Sequence, residues 1–209
     1  MSDTELMKLV RTVVAADDAA VFKLLAANPT LANAHFERGA TRQIEKPYFL
    51  HEIGHYIYAG DTALHLAAAA HSEKIARKLI AMGADVHAKN RRGAEPLHYA
   101  ADGMPGSRAF NPHAQAATVA CLIAAGADPN ALDKSGVAPL HRAVRTRCAA
   151  AVAALLKGGA DPRRKNKNGS TPMLLATQNT GRGGSGSREA KAEQARIVEL
   201  LQQHIKGRI

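Results

Sequence analysis

Five residues, His51-Glu52-Ile53-Gly54-His55, have the types and spacing of a zinc peptidase centre. On a helix, two histidines four apart share one face and can hold zinc, with the glutamate as general base. The neighbours argue for another setting. Tyr48, Phe49, Tyr56 and Tyr58 flank the five residues, and such aromatic and β-branched content favours extended structure, with a hairpin turning near Glu52-Ile53-Gly54. In a strand or turn the two imidazoles no longer share that face. An extended zinc motif would want glycine where Tyr58 stands, and its third ligand would fall on Asp61. The run Gly181-Arg182-Gly183-Gly184-Ser185-Gly186 is a second candidate, because glycine-rich turns ahead of a helix can cradle phosphate. It follows a helix rather than a strand and lacks the lysine of a phosphate-binding loop, so it reads as a plain loop. We therefore expect no catalytic residue, no metal and no cofactor.

What positions these residues is a repeated phrase. Gly60 to Ala68 reads G-D-T-A-L-H-L-A-A, and it returns as G-A-E-P-L-H-Y-A-A from Gly93, G-V-A-P-L-H-R-A-V from Gly136 and G-S-T-P-M-L-L-A-T from Gly169. Gly60 to Gly93 and Gly136 to Gly169 are both 33 residues; Gly93 to Gly136 is 43. A second phrase, Gly-Ala-Asp at 83–85, 126–128 and 159–161, follows an apolar helical run each time and holds the register. Self-similarity at this period marks a stacked array of helix pairs.

G-x-T-P-L-H-x-A-A, then an apolar run, then G-A-D, resembles the ankyrin repeat. The resemblance covers residues 60 to about 206, with residues 1–35 similar to a divergent capping repeat. It implies an all-α solenoid of helix-turn-helix units with hairpin fingers, read as one domain over 1–209. Its parts are a cap (1–35), an aromatic-rich hairpin or loop (36–59) and repeats at 60–92, 93–135, 136–168 and 169–209. It also implies that His65, His98 and His141 hydrogen-bond within the turn and support the next finger, and that Asp61 is a turn residue. Glu95 and Ala138 stand where the family has threonine, so repeats two and three lose one polar partner.

Helical spacing of Leu6, Leu9, Val10, Val13 and Val14 predicts a helix over 4–15, and Asp17-Asp18 starts a second that Asn28-Pro29 ends. In repeats two and four extra residues, 102–111 and 178–189, fall between the two helices. Packed helices lie about 8–10 Å apart, so loops two repeats apart should emerge about 20 Å from each other. Arg145 and Arg147 lie between them, with Arg108, Arg182 and Arg188 in or beside the loops, and we expect a cationic cleft there.

The chain of 209 residues has a net charge of +10, and this charge favours an acidic partner. Its 46% hydrophobic and 4% aromatic content gives an Ala, Leu, Val and Ile core suited to thin helix pairs. Two cysteines, Cys121 and Cys148, form no disulfide framework, and no apolar run reaches the length of a membrane span. We expect a cytoplasmic monomer.

The resemblance puts Arg91, Arg92, Lys134, Ser135, Lys167 and Asn168 at fingertips, four of six basic and none acidic. Arg145 takes the groove position in repeat three. The leading reading is a non-enzymatic protein–protein interaction module that binds an acidic surface. Arg91, Arg92, Lys134, Arg145, Arg147 and Lys167 supply charge, and Tyr48, Tyr56 and Tyr58 supply anchors. Nucleic-acid binding through the basic face comes second, because the aromatics do not interleave with the basic tips in the sequence. A zinc hydrolase built on His51, Glu52 and His55 comes third.

Overall fold

The computed structural model describes residues 3–104, 110–178 and 188–207 (for Glu189, the backbone only). Helix α1 (Asp3–Val14) buries Leu6, Leu9, Val10 and Val13, the stripe that its sequence spacing predicts. Helix α2 (Asp18–Ala27) begins where the Asp17 carboxylate accepts the N–H of Ala20 at 2.9 Å, and it ends at Asn28, before Pro29.

Four further helix pairs follow. They are α3 (Ala63–Ala69) with α4 (Glu73–Ala81), α5 (Pro96–Ala101) with α6 (Pro112–Ala124), α7 (Pro139–Arg145) with α8 (Ala149–Lys157), and α9 (Pro172–Thr177) with α10 (Arg188–Lys206). The first helices of the pairs pack on one another in sequence, α1 on α3, α3 on α5, α5 on α7 and α7 on α9. The second helices do the same from α2 to α10, so two layers run the length of the array. Between them the core is aliphatic and small. Ala67, Ala68, Ala76, Ala100, Ala101, Ala143 and Ala151 are fully buried beside Leu64, Leu79, Leu97 and Leu122. Alanine lets the helix axes approach closely, and each pair buries its apolar face on its neighbours.

The aromatic stretch is an enlarged finger. Its legs pair with each other: Phe36 N–H donates to Asp61 O at 2.9 Å, Gly60 N–H to Phe36 O at 2.7 Å and Ala40 N–H to Ile57 O at 2.7 Å. Its tip is a two-residue ladder, β1 (Phe49–Leu50) on β2 (His55–Tyr56), turning at 51–54 with Gly54 at φ +59. Phe36, Leu50 and Ile57 are buried and fix this finger to the solenoid.

Residues 102–111 lie between helices α5 and α6, and residues 178–187 between α9 and α10. The cleft expected between them falls on residues 105–109 and 179–187, which include Arg108 and Arg182 and are outside the described residues. In the pairs without an insertion, one residue turns the chain from first helix to second: Ala16, His71 and Arg147, at φ +55, +51 and +59. None is glycine, and the left-handed conformation costs an L-residue about 1–2 kcal/mol.

Arg147 carries a second cost. It is 3% exposed, and both terminal guanidinium nitrogens lack a hydrogen-bond partner among the described residues. Burying an unpaired charge costs several kcal/mol. We therefore expect Arg147→Met, which keeps the aliphatic stem, to stabilise the fold by about 1 kcal/mol or more. A thermal melt checks the sign, and a lower melting temperature contradicts it.

Candidate functional site

The three short fingers are built alike. Asn90 Oδ1 accepts the N–H groups of Arg92 and Ala94, at 2.9 and 3.1 Å. Asp133 Oδ1 does the same for Ser135 and Val137, and Asn166 Oδ1 for Asn168 and Ser170, all within 2.8–3.0 Å. Each side chain closes its turn and sends the next two residues outward. Arg91 and Arg92, Lys134 and Ser135, and Lys167 and Asn168 are all exposed.

Neighbouring tips are tied by backbone hydrogen bonds. Arg91 N–H donates to Ala59 O at 2.8 Å, Lys134 N–H to Arg92 O at 2.9 Å and Lys167 N–H to Ser135 O at 3.4 Å. The close approach needs glycine. A Cβ on Gly93 would lie 3.0 Å from the Lys134 nitrogen, and one on Gly136 2.9 Å from the Lys167 nitrogen. Arg91, Arg92, Lys134 and Lys167 therefore stand in one row, with the enlarged finger at its head.

At that head the sequence reading needs correction: aromatic and basic residues do meet. The Tyr58 ring lies under both arginines, with guanidinium carbons 5.4 Å (Arg91) and 5.1 Å (Arg92) from its centroid. Arg92 also donates to the Tyr58 hydroxyl at 3.0 Å, and Arg91 donates to the carbonyl of Ala40. A recess of about 420 Å³ opens here between Thr41, Arg42, Glu45, Tyr56, Tyr58, Arg91 and Arg92. Tyr48 does not line it; its ring packs on the core.

The other expected surface cations are placed differently. Arg147 is buried at the helix joint, so it offers no surface charge. Arg145 is half-buried, with a guanidinium nitrogen 4.0 Å from the Asp102 carboxylate. Arg142, which the sequence reading missed, bridges Asp102 at 2.8 Å and Asp133 at 3.0 Å. Burial pushes the Asp133 carboxyl up, but the Val137 N–H and the Arg142 guanidinium outweigh it and hold the group below its usual range.

Asp61 is more than a turn residue. It is fully buried, and its carboxylate accepts from the Tyr99 hydroxyl at 2.8 Å, Asn90 Nδ2 at 2.9 Å and the Tyr58 N–H at 2.7 Å. One carboxylate thus joins the enlarged finger, the next finger and helix α5. Burial first, then the Asp61 charge, keeps the Tyr99 phenol well above its ordinary pKa, so it stays a donor. One signal in the sequence could have found both hubs. The position after each repeat histidine is Leu66, Tyr99 and Arg142, and each of the two polar residues there meets a buried or half-buried carboxylate.

The repeat histidines support the fingers as the resemblance implies. Nδ1 of His65, His98 and His141 accepts the N–H of Thr62, Glu95 and Ala138, each at 3.1 Å. Nε2 donates to a carbonyl of the following finger, Ala94, Val137 and Ser170, at 3.1–3.2 Å. Thr62 and Thr171 side chains cap α3 and α9, whereas Glu95 and Ala138 make no side-chain cap. The two histidines of the zinc-like run part company: His51 is exposed, edge-on to Phe49 at 4.8 Å, and His55 stacks on Tyr99 at 4.3 Å. Among the described residues no group of three or more His, Cys, Asp or Glu is arranged to hold a metal ion. Burial raises both thiols, Cys148 to about 11, which disfavours the nucleophilic thiolate.

Two layers of stacked helix pairs with a ladder of tight fingers define a helical repeat solenoid. Two stretches of it match ankyrin repeats: residues 59–91 match the family model of the ankyrin repeat, and residues 122–176 match that of ankyrin repeats in many copies. No curated protein matches the chain. Ankyrin repeats are in general protein–protein interaction modules and are typically non-enzymatic. No helix among the described residues is long and apolar enough to cross a membrane.

Proposed function

We propose that this chain is a non-enzymatic module that binds an acidic protein surface along its fingertips and inner face. The observation that carries the reading is the row of exposed Arg91, Arg92, Lys134 and Lys167, fixed by one ladder of backbone hydrogen bonds and free of acidic tips. A net charge of +10 steers acidic partners toward it. Tyr58, half-buried beneath two arginines, offers an anchor that loses little entropy on binding. The two buried thiols suit a reducing compartment such as the cytoplasm, and we expect the chain to act as a monomer.

A second reading, nucleic-acid binding, gains from the same stack, because a base can lie on Tyr58 beside the arginines. The aromatics gather at one end only, and the Lys134 and Lys167 tips have none beside them. The first reading is therefore preferred.

A pull-down from native lysate, repeated at high salt and after nuclease, separates the two. A protein that is retained, released by salt and indifferent to nuclease supports the first. Retention of nucleic acid, with proteins lost after nuclease, supports the second.

A further inference from the structure

We infer that the recess at the head of the fingertip row is a receptor for a phosphate monoester carried on a protein segment. The inference rests on the reading that this row is the binding face, and it names the group taken at one place along it.

Charge is the first argument. Three arginines, Arg42, Arg91 and Arg92, face one acid, Glu45, so the recess carries three minus one, or +2. A phosphate monoester carries about −1.5 to −2 at neutral pH, whereas a carboxylate or a phosphodiester carries about −1. The monoester matches the recess most nearly.

Donor geometry is the second. The planar guanidinium fork suits phosphate oxygens, and arginine clusters are the usual means of reading phosphorylated segments. Two of the forks are already placed. Arg91 is held by Ala40 O and Arg92 by the Tyr58 hydroxyl, both over one ring. Each guanidinium has five N–H donors, and these bonds occupy one apiece, so the remainder can face a ligand with little further ordering. Thr41 adds another donor. Its Oγ1 accepts the N–H groups of Gln43 and Ile44, at 3.3 and 3.0 Å, which leaves the hydroxyl proton to give. A volume of about 420 Å³ walled by Tyr56 and Tyr58 admits a phosphorylated side chain with part of its backbone.

A peptide is favoured over a nucleic-acid strand because the recess is a single +2 site. Beyond it the row continues as Lys134 and Lys167 without a stacking surface.

Fluorescence anisotropy with two labelled glutamate-rich peptides, identical except for one phosphoserine, tests the inference. A thymidine oligonucleotide serves as the third probe. The phosphorylated peptide should bind about tenfold more tightly, the worth of one charge-assisted contact. Arg42→Gln should erase that ratio, and Glu45→Gln should raise it, since it removes the one acid in the recess. Lys134→Glu with Lys167→Glu should weaken both peptides and leave the ratio intact. Equal binding of the two peptides overturns the phosphate receptor, and Lys134 and Lys167 dependence of that binding leaves the acidic-surface reading standing. Failure of the wild type to bind either peptide counts against both. An oligonucleotide held more tightly than the phosphopeptide overturns the inference in favour of nucleic acid.

Discussion

Asp61→Ala should destabilise the protein by about 3–5 kcal/mol, a melting temperature lower by about 10 °C for a chain of this size. The substitution leaves the buried Tyr99 hydroxyl and Asn90 amide, and the half-buried Tyr58 N–H, without their common acceptor. Stranded donors in the interior cost about 1–3 kcal/mol each, and the surviving Asn90–Tyr99 hydrogen bond offsets part of this. Tyr99→Phe removes one donor and keeps the carboxylate and its other bonds, so it should cost only about 1 kcal/mol. Combined with Asp61→Ala it should add almost nothing, because loss of the surviving Asn90–Tyr99 bond is offset by removal of the stranded hydroxyl. Denaturant melts of the two variants and the double variant check this. A cost below about 1 kcal/mol for Asp61→Ala would show that the network is not the hub of the head of the array.

Acid should begin to destabilise the protein well above the range of its carboxylates. Each repeat histidine is neutral by construction: its Nδ1 accepts the N–H of its own turn, so a proton there breaks the bond that orients the ring, whose Nε2 holds the next finger. Burial lowers His65, His98 and His141, and brings His98 to about 4 from an ordinary 6.5. The sign follows from which state takes up protons. Between pH 6.5 and 4 the unfolded histidine is protonated and the folded one is not, so stability is full above 6.5 and falls as the pH drops through that window. For His98 alone the loss is on the order of 3 kcal/mol by pH 4. Glu95, raised by burial, takes up its proton early and offsets part of the loss. Asp133 acts in the lower carboxylate range, where its depressed pKa makes stability fall further as it is protonated. Urea midpoints between pH 7.5 and 4.5 check the slope. A His98→Gln variant should be less stable at neutral pH yet lose less over the window, and a flat wild-type profile would contradict the account.

How much of this was readable in advance depends on whether a residue acts through its own turn or through a distant partner. The repeat histidines and glycines act locally at a fixed period, so their register gave the stacked helix pairs of the solenoid. The hairpin at 51–54 was legible too, because aromatic and β-branched residues crowd a short stretch that ends in glycine. Tyr58 was not. Its place under Arg91 and Arg92 depends on the legs of the enlarged finger closing at Phe36 and Gly60, a pairing that follows no repeat. Arg147 was misplaced because a position read as an exposed junction takes up the left-handed conformation, and the side chain is buried instead of reaching solvent. Asp61 was read by its turn alone, although Asn90 and Tyr99, 29 and 38 residues on, decide its role.

The central claim is that binding runs through the fingertip row. A charge-matched comparison tests it most directly. Lys134→Glu with Lys167→Glu lowers the net charge from +10 to +6, and so does Lys157→Glu with Arg196→Glu, exposed on the outer helices α8 and α10. Long-range attraction is weakened alike in both, so only the place of the change differs. Titrating the protein captured in the pull-down against each variant, the account predicts at least about tenfold weaker binding for the fingertip pair and a change within about threefold for the outer pair. Equal losses, or a fingertip pair that binds as tightly as the wild type, would contradict it.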